Sequence, residues 1–266
     1  MRIKTEGRHA RCSLVSLAVT MSANPIAKEN VCLGVVCPMA NESATAAQFV
    51  RAVLEQCFFA SKVIFFAVVD RASRDNTRDV LESLAKNDSR LNVVWAPQNR
   101  CVVDAYMAGY AAALQAECDW ILEIDAGFSH QPSDIPTLLR KMSEGYDCVF
   151  GSRFCKGGKI QESSTKRYLI SRAGTLLVNA LLGTRLSDMT SGFELFRASA
   201  LDSVRNLIGS RGPFFQTEIK AHCHRYQIVE VPILYRAASH KIGAGSMADA
   251  LTNLWRLFRL RLVGPL

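Results

Sequence analysis

Between residues 31 and 155 the chain repeats one unit: a short apolar run, a polar turn, then a stretch with helical spacing. The runs are Val31–Cys37, Lys62–Val69, Leu91–Trp95, Trp120–Ile124 and Cys148–Gly151, and helices are expected at about 44–58, to 86, to 116 and over 132–142. The runs lack the in-out alternation of a half-exposed strand, so both of their faces have to be covered. Strands of that kind separated by helices predict βαβ units and a parallel sheet in an α/β fold. Beyond 155 the pattern loosens. It reads as a loop at 156–165, helices at 166–183, 199–207 and 214–225, strands Phe193–Phe196 and Ile228–Tyr235, and a last helix at 246–262.

Two runs end in aspartate, at Asp70 and Asp125, and the first ends just before Asn41-Glu42. In a parallel sheet these ends lie together, where α/β folds bind their ligands. Each acidic residue alone has a plainer explanation as a helix cap, the role expected of Asp75. Three at one edge point to a crevice. Carboxylates on a chain of net charge +8 suit a divalent cation, Mg²⁺ or Mn²⁺, holding a diphosphate. Gly127 permits the sharp turn after Asp125. Neither a P-loop nor a GxGxxG fingerprint occurs, which argues against kinase, ATPase and dinucleotide-binding readings.

The positive charge is dispersed and forms no basic tract interleaved with aromatics, so no nucleic-acid partner is expected. Nine cysteines, an odd number without a CxxC pair, read as small core side chains of a reducing compartment. No apolar run is long enough to span a membrane. Residues 1–29 are expected to be a disordered extension, 30–245 the folded domain, and 246–266 an amphipathic basic helix.

Several spaced segments together resemble glycosyltransferase family 2. These are Pro38-Met39-Ala40-Asn41-Glu42, Val68-Val69-Asp70 with Ser73 and Asp75-Asn76-Thr77, and Ala96-Pro97-Gln98-Asn99-Arg100. Glu123 through Pro132, Gly151-Ser152-Arg153-Phe154 and Thr190-Ser191-Gly192-Phe193 narrow the resemblance to its polyprenyl- or dolichyl-phosphate mannosyltransferase branch. The resemblance implies a GT-A fold: a Rossmann-like nucleotide-binding half with a mostly parallel sheet, joined to an acceptor-side α/β half. It implies inverting transfer of a hexose from a nucleotide-sugar donor to a polyprenyl phosphate, foremost mannose from GDP-mannose. Pro38, Asn41, Glu42 and Asp70 would hold the nucleoside, and Asp125 and Gly127 the diphosphate segment. Asp125, with Ser129, would hold the metal. Arg153, Arg167 and Ser171 match the acceptor-phosphate site, and Lys241 falls in a loop that would close over the donor.

The chain departs from the family where Asp70-Arg71 replaces Asp-Asp and Asp125-Ala126-Gly127 replaces Asp-x-Asp. Losing the second carboxylate is expected to weaken metal binding. The acceptor side follows from chemistry: a lipid phosphate is already anionic and needs cationic side chains to hold it in line more than it needs a base. Arg153 and Asp125 are therefore the expected catalytic residues. The final helix gathers Met247, Leu251, Leu254, Trp255, Phe258 and Leu262 on one side, with Arg256, Arg259 and Arg261 around it. It is expected to make peripheral contact with the cytoplasmic face of a membrane, or else to pack on the domain. A UDP-sugar donor, a non-lipid acceptor and a non-catalytic nucleotide-sugar-binding subunit are the alternatives.

Overall fold

A computed structural model describes residues 29–161, 165–236 and 244–264. The expected extension, but for Glu29, and Lys241 lie outside the described residues. Four parallel strands, β1 (Glu29–Pro38), β2 (Ala60–Val69), β3 (Leu91–Trp95) and β4 (Trp120–Glu123), alternate with α1 (Ala46–Gln56), α2 (Thr77–Ala85) and α3 (Val102–Gln115). Further along come α4 (Ile135–Leu139), β5 (Cys148–Ser152), β6 (Lys159–Gln161), α5 (Thr165–Leu182), β7 (Glu194–Arg197) and α6 (Ala198–Arg205). The last elements are α7 (Phe215–His222), β8 (Ile228–Pro232), β9 (Leu234–Arg236) and α8 (Ala244–Val263).

The main sheet has the order β3-β2-β1-β4-β7-β5-β8, and β6 pairs with β9 in a small second sheet. β1 lies between β2 and β4, both parallel to it, so the chain segments leaving these three strands emerge side by side. Apolar side chains fill both faces: Val35, Phe65 and Leu122 pack on the α1 side, while Val36, Phe66 and Ile121 pack against Tyr106 and Tyr110 of α3. Gly109 makes the α3 contact possible, because a Cβ there would fall 2.3 Å from Val36 Cγ1.

The five strands up to residue 155 run in one direction, as expected, and β7, from the later part of the chain, inserts antiparallel between β4 and β5. Three expectations need correction. The helix over 132–142 is a short α4 between two 3-10 turns. The loop at 156–165 contains β6, and the strand over 228–235 divides at Ile233 so that β9 can leave the main sheet and pair with β6.

Candidate active site

Two cavities of about 530 Å³ each open beyond the carboxyl ends of β1, β2 and β4. The first is the more polar of the two and is lined by Pro38, Glu42, Asp70, Arg71, Asn99 and Asp125 among others. The second runs between α5, α7 and α8. Arg153, Ser171 and Thr190 line it together with an apolar wall that includes Leu177, Met247 and Leu251. Val102, Tyr106 and Asp125 belong to both cavities. A ligand in either one therefore reaches the same carboxylate.

Asp125 follows β4 with its side chain 46% exposed. The fully buried Tyr106 hydroxyl donates to Oδ1. The Asp125 amide donates to His130 Nδ1 at 3.5 Å, which leaves the proton of the neutral ring on Nε2. His130 is buried, stacks on Phe193 and lies 3.7 Å from Asp125 Oδ2. Burial drives its pKa down to about 4, although Asp125 pulls the other way, so the ring is uncharged near neutrality.

Beneath Asp125, Glu123 and Glu194 face each other across β4 and β7, both fully buried. Burial, and then the charge of Glu194, push the Glu123 carboxyl up, so it is the member that keeps a proton. Tyr110 and Gln216 donate to Glu123, and Lys220 Nζ lies 3.2 Å from Glu194. Lys220 also donates to the carbonyls of Asp188 and Ser191, tying the chain before β7 to α7.

The polar cavity brings Pro38, Glu42, Asp70 and Asp125 together. Asp70 is oriented by the Ala72 amide at 2.8 Å and by Asn99 at 3.3 Å. Asn41 does not line the cavity. With φ at 60°, it receives the Arg74 amide on Oδ1 and donates to the Ala72 carbonyl, so it clamps the loop after β1 to the loop after β2. The Ser43 and Thr77 side chains, and to a lesser degree their amides, donate to Asp75 and hold its carboxyl far below the usual range. Ser129 lines neither cavity; its carbonyl receives the Arg236 amide. The structure therefore does not bring it to Asp125.

In the second cavity, Arg153 is not an open cation. It is 8% exposed and grips Asp188 through Nε at 2.7 Å and Nη2 at 2.8 Å, with Nη2 also reaching Thr190. Asp188 is held down at about 2, against a strong burial penalty, chiefly by its bonds to Arg153. The pair makes Arg153 a fixed, directional donor whose charge is largely offset. Ser171 lines the cavity from α5. Arg167 lies on the first turn of that helix, its side chain outside the described set.

Sequence reasoning missed Tyr106, Asp188 and a role for His130. Tyr106 and Tyr110, one turn apart on an apolar helix, carried a usable signal, since buried tyrosine hydroxyls require partners. The donor set at the junction is all hard oxygen, which suits Mg²⁺ or Mn²⁺. Among the described residues no three His, Cys, Asp or Glu side chains converge on one point. A cation would therefore be shared between one or two carboxylates and substrate oxygens.

The fold and the paired cavities define a GT-A glycosyltransferase. The chain belongs to glycosyl transferase family 2, whose family model matches residues 34–205. It is 35% identical over 195 residues to an undecaprenyl-phosphate mannosyltransferase of Micrococcus luteus, covering 71% of this chain and 80% of the relative. It is 28% identical over 220 residues to a polyprenol monophosphomannose synthase of Mycolicibacterium smegmatis, covering 81% of each. Among solved structures, glucosyl-3-phosphoglycerate synthase of Mycobacterium tuberculosis in complex with Mn²⁺, UDP-glucose and phosphoglyceric acid superimposes with a TM-score of 0.64 at 18% identity. That match covers 86% of this chain and 80% of the other, and it bears on the fold alone.

Proposed function

We propose that this chain transfers a hexose, foremost mannose from GDP-mannose, to a polyprenyl phosphate with inversion at the anomeric carbon. The observation that carries the proposal is Asp125 at the junction of a polar cavity and an apolar-walled one. A cavity with Arg153, Ser171 and Thr190 at one end and Ile170, Leu177 and Leu251 along its wall suits an amphiphile with a phosphate head. The names of the two curated relatives support the same acceptor and sugar.

In this reading Pro38, Glu42 and Asp70 hold the nucleoside, and Asn41 positions their loop. Asp125, kept in place by Tyr106 and His130, faces the diphosphate. Arg153, aimed by Asp188, fixes the acceptor phosphate together with Ser171 and Arg167. One phosphate oxygen attacks the anomeric carbon as the bond to the diphosphate breaks, and the nucleoside diphosphate departs with that electron pair. No side chain has to remove a proton, because the nucleophile is already an anion. When bound, Mg²⁺ or Mn²⁺ would offset the charge that develops on the leaving group. Lys241 would add a cation from the loop outside the described residues.

We further assign a peripheral contact with the cytoplasmic face of a membrane to α8, supported by the surface distribution of apolar side chains. Leu251, Trp255, Leu260, Leu262 and Val263 of α8 are exposed, as are Leu169, Leu176 and Leu177 of α5. No described helix is long and apolar enough to cross a membrane. The opposite side of α8 packs on the body through Leu254 and Leu257, which leaves its exposed side for the proposed membrane contact. Arg256 turns back to Glu218 and Arg261 to the Leu181 carbonyl, which leaves Arg259 as the exposed arginine best placed for lipid headgroups.

The test is to incubate the purified protein with radiolabelled GDP-mannose or UDP-glucose, a short polyprenyl phosphate, and Mg²⁺ or Mn²⁺. Label from GDP-mannose should enter the organic phase as a lipid-phosphate sugar. Label appearing only on a saccharide acceptor would overturn the proposal.

A further inference from the structure

We infer that Glu42 supplies the second carboxylate of the cation site at Asp125, and that Gly127 lacks a side chain so that Glu42 can occupy this place. The inference rests on the transferase reading above and adds a residue to it. It also reverses the sequence-based expectation that glycine at 127 weakens metal binding.

Three observations carry it. Gly127 has φ at +79°, and a Cβ built there would lie 3.0 Å from Glu42 Oε1 and 3.4 Å from Oε2. The Glu42 carboxylate thus fills the space a side chain at 127 would take, two residues beyond Asp125. Glu42 and Asp125 also line the same polar cavity. Finally, Glu42 is held in this position: its amide donates to Thr77 Oγ1 at 2.7 Å, and Thr45 Oγ1 donates to Oε2 at 2.6 Å. No hydrogen bond among the described residues engages Oε1, the oxygen nearest Gly127.

Asp125 by itself is a poor anchor, because Tyr106 already occupies Oδ1. A hard divalent cation that keeps several waters is typically held by one or two carboxylates and substrate phosphates. Glu42 Oε1 with Asp125 Oδ2 would make that pair. Two carboxylates beside an incoming diphosphate would otherwise repel it, so nucleotide binding should depend on the cation.

The test measures Mn²⁺ binding directly, from the electron paramagnetic resonance signal of free Mn²⁺, with GDP or UDP at saturation. Glu42→Gln should weaken Mn²⁺ binding by about tenfold or more, with unchanged far-ultraviolet circular dichroism. Any loss of nucleotide affinity in this variant should be far smaller in EDTA than with Mn²⁺, because nucleoside contacts act in both conditions and the cation only in one. Should E42Q fold poorly, Glu42→Asp withdraws the carboxylate by one methylene while keeping its charge, and should lose a smaller factor. Adding Gly127→Asp to Glu42→Ala, which empties that space, returns a carboxylate there at the cost of a strained φ and should recover part of the Mn²⁺ affinity that Glu42→Ala loses. Unchanged Mn²⁺ affinity in E42Q, or a wild-type protein that binds no Mn²⁺ with either nucleotide, overturns the inference. A protein that binds Mn²⁺ through Glu42 yet glycosylates no lipid would overturn the transferase proposal and leave this site standing.

Discussion

Removing the Asp188 carboxylate should be the most damaging single change on the acceptor side. Asp188 is fully buried and accepts from Arg153 Nε and Nη2, the Arg153 amide and the Thr190 amide. Its pKa is depressed from 3.8 to about 2, which corresponds to about 2 kcal/mol of preference for the charged form. Asp188→Ala costs more than protonation would, because it leaves the Arg153 guanidinium buried without its counter-charge. Breaking a buried pair from one side costs about 3–5 kcal/mol. Set against a typical total of about 5–15 kcal/mol, that is a large fraction. Equilibrium urea unfolding should show a lower midpoint with an unchanged slope, and the KM for polyprenyl phosphate should rise as Arg153 loses its aim. A loss below about 1 kcal/mol, with unaltered acceptor KM, would refute the claim that this pair sets the guanidinium.

Three further outcomes are expected. Tyr106→Phe removes the donor to Asp125 Oδ1 and should lower kcat about tenfold, roughly the worth of one hydrogen bond to a charged group, with little change in melting temperature. The difference in stability between wild type and His130→Phe should vary with pH. With a folded pKa of about 4 against 6.5, His130 contributes most above pH 6.5 and loses about 3 kcal/mol as pH falls to 4. The difference curve is the readout because the raised carboxyls of Glu123 and Glu194 have the opposite slope, their contribution falling as pH rises. Leu251→Asp with Trp255→Asp changes only exposed positions of α8, so sedimentation with anionic vesicles should fall several-fold while thermal unfolding shifts little.

The nucleotide-binding half was legible because its information is local. β1, β2 and β4 are largely buried apolar runs, with β3 the half-exposed edge strand, and the residues that follow β1, β2 and β4, Glu42, Asp70 and Asp125, reach one cavity through strand adjacency alone. The direction of β7 was not legible. A short buried strand carries the same apolar pattern in either orientation, and only the path of the chain through α5 decides it. Arg153 was found at a strand end, but its partner Asp188 lies 35 residues on, with no local signal joining them. Asn41 stood in the right segment, yet its side chain braces a loop instead of facing the cavity. At Gly127 the sequence shows a lost carboxylate, whereas the fold shows Glu42 in the vacated space.

The central claim is that sugar transfer takes place at the junction occupied by Asp125. Its most direct test is single-turnover transfer of labelled mannose from GDP-mannose to polyprenyl phosphate by wild type and by Asp125→Ala. Both proteins should melt at closely similar temperatures. The wild type should place label on the lipid, and the variant should be slower by about a hundredfold or more. An Asp125→Ala protein that transfers mannose at the wild-type rate would contradict the account.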